Sequence, residues 1–154
     1  MSRMYTANMS SIAIAAASEL FFIEAPADLV IRIHEIKITQ DASETSEQLP
    51  LKIYRTATDQ GAVGTEVVPA PLSVGDAAST ALIRSAILVA DTFATPGVML
   101  LAESQNMLNG FHILPTPETR IDISPGAYLV IKLDAAPAAS LNISGYVVFE
   151  EIGG

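Results

Sequence analysis

The side chains able to do chemistry are few and scattered. His34 and His112 each stand alone in a strand-like run, with no second histidine two residues away and no glutamate at the spacing that cupin-type metal sites use. A transition-metal site needs three or four converging ligands, so both imidazoles are expected to be satisfied within the fold or to lie on its surface. Ser10, Ser11, Ser18 and the other serines lack the Gly-x-Ser-x-Gly turn that exposes a nucleophile. Glu150 and Glu151 form the conspicuous carboxylate pair. Adjacent strand residues point to opposite faces, so the two cannot flank one substrate, and solvation at a strand end is the expectation for both. Asp41, Glu44 and Glu47 could offer oxygens to calcium, but the Asp-x-Asp-x-Asp-Gly spacing of a calcium loop is missing. There is no cysteine and no Gly-rich phosphate loop. These residues predict no catalytic site, no cofactor and no metal.

The elements that would position these groups read as strands. In residues 140–150, Leu141, Ile143, Val147 and Phe149 share one parity while Asn142, Ser144, Tyr146 and Glu150 share the other. Gly145 falls on the apolar parity, where it leaves a gap or lets another backbone approach. Ile31 and Ile33 are out of phase with Ile36 and Ile38, which predicts a β-bulge near His34 and Glu35. Leu51 and Ile53 alternate with Lys52, Tyr54 and Thr56. Ile121 and Ile123 lead into Ser124-Pro125-Gly126, followed by Leu129, Ile131 and Leu133, as in two paired strands joined by a type II turn.

Strands are accordingly predicted over residues 4–15, 18–24, 29–40, 51–57, 80–89, 111–114, 119–123 paired with 127–133, and 140–150. Residues 59–79 read as a loop with a short helical turn around Val74 to Ala78, and residues 92–110 as a long connection against the core. About eight strands with uneven connections predict an all-β, jelly-roll-like two-sheet β-sandwich in a single domain spanning residues 1–154. Residues 1–10 are a possible extended N-terminal arm that reaches a neighbour.

The chain has 154 residues, of which 50% are hydrophobic and 16% charged. That balance is too apolar for disorder, and the one membrane-like stretch is cut at Glu19 and Glu24, so no membrane span is expected. Only Arg3 precedes that run, which fits a signal peptide poorly. A net charge of −9 would repel phosphate backbones and argues against nucleic-acid partners. Without tryptophan, and with four tyrosines and five phenylalanines partly on core-facing parities, the chain offers few aromatic platforms for sugars.

PLSVGDAAST, FHILPTPETRIDISPGAYLVIKL and GYVVFEEIGG together resemble small structural proteins of tailed bacteriophages and prophages that are similar to head decoration, or cement, proteins. The likeness extends to SELFFIEAPAD and is weakest over residues 81–110. It implies a jelly roll on the outer surface of the capsid, in the virion, that binds the major capsid protein and reinforces the head across subunit boundaries. It also implies a homo-oligomer, with a trimer favoured over a dimer. Residues 1–10, 59–79 and 92–110 are then the candidate contact surfaces. The alternative from another class is a receptor- or glycan-binding head of a tail fibre or spike, which would share the sandwich.

Overall fold

In a computed structural model that describes residues 2–41, 46–57, 64–87 and 97–153, the chain is nearly all β. Its strands are β1 (Arg3–Ile14), β2 (Ser18–Glu24), β3 (Val30–Gln40), β4 (Gln48–Thr56), β5 (Thr65–Glu66), β6 (Ala70–Pro71) and β7 (Leu82–Ile87). Beyond these run β8 (Val98–Asn106), β9 (Phe111–Ile113), β10 (Ile121–Ile123), β11 (Tyr128–Leu133) and β12 (Leu141–Ile152). A short 3-10 turn covers Pro117–Thr119. No helix among the described residues is long and apolar enough to cross a membrane.

Two antiparallel sheets pack as a sandwich. The first has the order β10-β3-β12-β1-β6, with β9 also on β3, and the second β5-β7-β2-β11-β4-β8. With β5, β6, β7 and β9 set aside, the sheets read β1-β12-β3-β10 and β2-β11-β4-β8, and successive strands change sheet at every step except from β4 to its neighbour β8, the order of a jelly roll.

The core is the interdigitated inner faces. Tyr5, Ala7 and Met9 from β1, Ile31, Ile33, Ile36 and Ile38 from β3, and Val147 and Phe149 from β12 lie in one cluster with Phe21, Ile23, Leu51, Ile53, Leu129 and Ile131 of the opposite sheet. Each large aliphatic side chain so buried contributes about 1.5–3 kcal/mol. Tyr5 and Phe149 stack with ring centroids 5.6 Å apart. On the far face of the second sheet, Phe22 and Val130 are also buried, packed by Tyr54 and Tyr128. Phe22 faces outward into this cluster while a bulge at Leu20 turns Leu20 inward with Phe21 and Ile23, so the run from Leu20 to Ile23 is apolar without alternation.

Besides the bulge in β2 at Leu20, where Phe21 pairs with Ile131 and Glu19 with Lys132, three irregularities shape the sheets. The expected bulge in β3 falls at His34, since Glu35 pairs with Val148 and Ile33 with Phe149. It splits the outer edge of β3, so that β10 pairs Ile31–Ile33 and β9 pairs Ile36–Ile38. A second bulge in β1 opposes Ser10 and Ser11 to Ser144, with Ser11 at φ 50 and its amide donating to Ser144 Oγ at 2.8 Å. The third lies in β8 at Leu100, between Met99 opposite Tyr54 and Leu101 opposite Ile53. Gly145 marks a close backbone approach, because a Cβ there would lie 2.6 Å from the Lys37 carbonyl oxygen.

Several expectations need correction. Residues 1–10 are not an arm: from Arg3 onward they form β1, held between β12 and β6, because Tyr5, Ala7 and Met9 belong to the core. The Ser124–Ala127 turn is real, with Ala127 N–H donating to the Ser124 carbonyl at 2.9 Å and Gly126 at φ 69. The strands it joins do not pair, however. β10 adds to the first sheet and β11 to the second, so the turn crosses between sheets.

Residues 98–106, expected to be part of a connection, are a full strand because their backbone pairs with β4 from Gln48 to Arg55. The expected helical turn after Val74 is instead a tight turn in which Asp76 N–H donates to the Ser73 carbonyl at 3.3 Å. Residues 59–63, 88–89 and 92–96 of those predictions lie outside the described residues.

Candidate interaction surface

The titratable side chains flagged in the sequence lie on the sheets as separate pairs. His34 Nε2 is 2.9 Å from Glu150 Oε2, and His112 Nε2 is 2.9 Å from Glu35 Oε1. Tyr146 Oη donates to the same Glu35 oxygen at 2.6 Å. That bond, more than the nearby His112, holds the Glu35 carboxyl below its ordinary range and raises the Tyr146 phenol. Burial pushes Glu150 upward, but the bonds from His34 and Ser2 outweigh it and leave the carboxyl lowered. Arg32 grips Asp122 with two bonds of 2.8 and 2.9 Å, which lower the Asp122 carboxyl. Among the described residues no three His, Cys, Asp or Glu side chains converge as a metal site would require.

The carboxylate neighbours separate as expected, but only one lies at the surface side. Glu151 is buried and faces inward, accepting from Ser79 Oγ at 2.6 Å, Thr80 N at 2.8 Å and Ala81 N at 3.1 Å. Strand-end solvation is therefore wrong for Glu151, whose carboxylate fastens the approach to β7 onto the first sheet. Tyr5 Oη supports the same stretch by donating to the Ala77 carbonyl at 3.0 Å. Of the acidic trio, Asp41 accepts from Ser144 Oγ at 2.8 Å and Glu47 accepts from Ala138 N at 3.0 Å. Glu44 lies outside the described residues. Ser18 Oγ donates to the Ala16 carbonyl at 2.8 Å, a local turn contact.

What these pairs do not occupy is one open side of the sandwich. There the second sheet ends in β8, and the first sheet ends in the two short strands β9 and β10. β8 is bonded to β4 on one side, and among the described residues no strand pairs its other side. Its first three residues are apolar and exposed, Val98 at 59%, Met99 at 52% and Leu100 at 38%. Such an edge is a template for another chain. The bulge at Leu100 breaks the in-and-out alternation, so that Leu100 and Leu101 both line a groove between the sheets.

This groove has a volume of about 460 Å³. Ile113, Pro115 and Ile121 add apolar wall from the first sheet's edge, and the chain between β9 and β10 brings Glu118 and Arg120 to its rim. Arg55, from the end of β4, lines it as well. Arg120 Nε is buried without an acceptor among the described residues. Asp122 also borders the groove, but its charge is engaged by Arg32.

The sequence named residues 92–110 as a candidate contact surface, but neither the strand they contain nor the groove beside it was drawn from it. Arg55 and Arg120 carry no motif, and β8 shows no alternation. The signal for the strand was the apolar run from Val98 to Leu101 within that connection. A scan against family models, a search of curated proteins and a search of solved structures each found no match to the chain.

Proposed function

We propose that this chain is a non-enzymatic structural protein that decorates the outer surface of a tailed-phage head. In this role it binds the major capsid protein across subunit boundaries and reinforces the shell. The observation that carries the reading is the free edge of β8, where Val98, Met99 and Leu100 stand exposed in one run beside an apolar groove. Unpaired strand edges with apolar side chains serve association with another chain, and their backbone groups supply directional bonds to it. The resemblance of three stretches to phage decoration proteins supplies the identity of that partner.

The physics of the role is mass action. A rigid subunit that binds only the fully assembled lattice stabilises that lattice by an amount that grows with the logarithm of its concentration over its Kd. We propose a homotrimer as the acting form, since a symmetric clip makes its second and third contacts intramolecular. Each contact would bury roughly 1,000 Å² or more.

Cryo-electron imaging of the particles that carry the chain, with a gold-labelled antibody against it, tests the reading. Expected are protrusions on the head with three-fold shape. Label confined to the tail would replace this reading with the receptor-binding one, and label absent from particles would remove both.

A further inference from the structure

The groove between β8 and the chain leading into β10 has features that a general adhesive edge does not need. Arg120 Nε is a buried donor with no acceptor among the described residues. Buried donors are nearly always satisfied, because leaving one unpaired forfeits its solvation. Arg55 brings a second guanidinium to the same walls, against the single carboxylate of Glu118, since Asp122 is engaged by Arg32. A cationic pair on a chain of net charge −9 is a local reversal of sign, and it selects an anion. The remaining walls, Leu100, Leu101, Ile113 and Ile121, are apolar. The volume of about 460 Å³ lies within the range of specific ligand sites. The lip of the groove is a strand whose outer edge no described strand pairs.

We propose that this groove docks an extended peptide segment that presents an apolar side chain and, two residues along on the same face of the strand, a carboxylate. The segment lies along β8 as an added strand, its main chain bonding to the free edge. Its apolar side chain covers Leu100, Leu101, Ile113 and Ile121. Its carboxylate accepts from Arg120 and Arg55, which gives the unpaired Nε a charge-assisted partner. The edge strand favours a peptide over a free acid, because a free acid would leave the β8 edge unpaired. The inference rests on the proposed docking role of the β8 edge and names what its groove recognises; the binding assay reads the groove's ligand and particle imaging reads where the chain sits, so either can fail without the other.

The test uses the full chain and fluorescein-labelled, end-blocked heptapeptides. The first has the sequence Thr-Val-Thr-Leu-Thr-Glu-Thr, which puts Leu and Glu on one face of an extended strand, the second has Gln in place of Glu, and free glutarate is the third probe. Binding is read by fluorescence polarisation and by methyl NMR shifts of Leu100, Leu101, Ile113 and Ile121. Expected is saturable binding of the Glu peptide that is roughly tenfold or more tighter than that of the Gln peptide. A similar loss is expected in Arg120→Gln and in Arg55→Gln. Arg55 is exposed, so its replacement does not threaten the fold and keeps the test decisive if Arg120→Gln fails to fold.

Equal binding of the two peptides, or undiminished binding in Arg55→Gln, would overturn the proposal. So would glutarate moving the methyl signals of these four residues with the affinity of the peptide, which would make a small acid the ligand. Groove shifts that depend on protein concentration without peptide would make a second copy the occupant, and would overturn it too.

Discussion

At Glu19, burial and charge act against each other. The side chain is buried, and its Oε2 has no hydrogen-bond partner. Burial raises the carboxyl pKa above 4.5, and Lys132, its register partner on β11, lowers it only in part. A raised folded-state pKa means that the native chain holds the proton more tightly than the unfolded one. Stability therefore falls as pH rises from near 4.5 through the raised value, and at neutral pH the ionised form is a net cost. Glu19→Gln is expected to stabilise by about 1 kcal/mol at neutral pH, the difference between an undonated charged and neutral oxygen. The gain should fade at pH values below the ordinary carboxylate pKa. Lys132 keeps Asp134 as a partner at 3.3 Å, so the substitution leaves no lone cation. Urea titrations at several pH values check this, and a variant less stable than the parent at neutral pH would refute it. Gly126→Val tests backbone strain alone, since a Cβ at Gly126 meets nothing within 4 Å while φ is 69. A loss of about 1–3 kcal/mol is expected, and an unchanged melting midpoint would show that the turn tolerates a side chain. Gly126 was legible because Pro-Gly dictates its turn locally. The burial of Glu19 and Glu151 was not, because it depends on which strands pair above them.

Among the elements, those read correctly are the ones with one wet face. β12 alternates because its inner face meets the opposite sheet, and the phase break in β3 marked the His34 bulge. β8 was missed because nearly all its residues are exposed or half-exposed, so backbone pairing alone makes it a strand. The pairing of β10 with β11 was misread for a related reason: a tight turn predicts a hairpin locally, while the choice of sheet is made by distant partners. The two halves of β8 differ in how they guard the edge. Glu103 and the polar residues around it blunt the second half, whereas Val98, Met99 and Leu100 leave the first half open. Met99→Lys should therefore change global stability by no more than about 0.5 kcal/mol, as surface substitutions do, while lowering association of the chain. Sedimentation velocity over a range of concentrations, beside thermal melting, measures both. Equal association of the two proteins would place the sticky surface elsewhere, with exposed Val68, Leu72 and Val74 the next to examine.

For the molecule as a whole, the decisive fact is that β1 and β12 lie side by side, with Arg3 opposite Glu151. The first sheet forms only when the two ends of the described chain meet. Sequence periodicity identified both as strands, but period-two patterning carries no information on partners, so residues 1–10 could equally be read as a free arm. A free arm and an inner strand differ in what their removal does. Loss of an arm would weaken binding and spare folding. Loss of β1 residues exposes the inner edge of β12 and removes Tyr5, Ala7 and Met9 from the core. Burial of those side chains alone contributes about 4–7 kcal/mol, before the ladder bonds are counted, against a total on the order of 5–15 kcal/mol for a domain. The Ala77 carbonyl would also lose the Tyr5 hydroxyl that fixes the approach to β7. Deleting residues 1–10 should accordingly abolish the cooperative thermal transition seen by circular dichroism, and not merely reduce shell binding. If the truncated chain melts at the parental midpoint but fails to decorate shells, the segment acts as an arm and β1 contributes nothing to the fold.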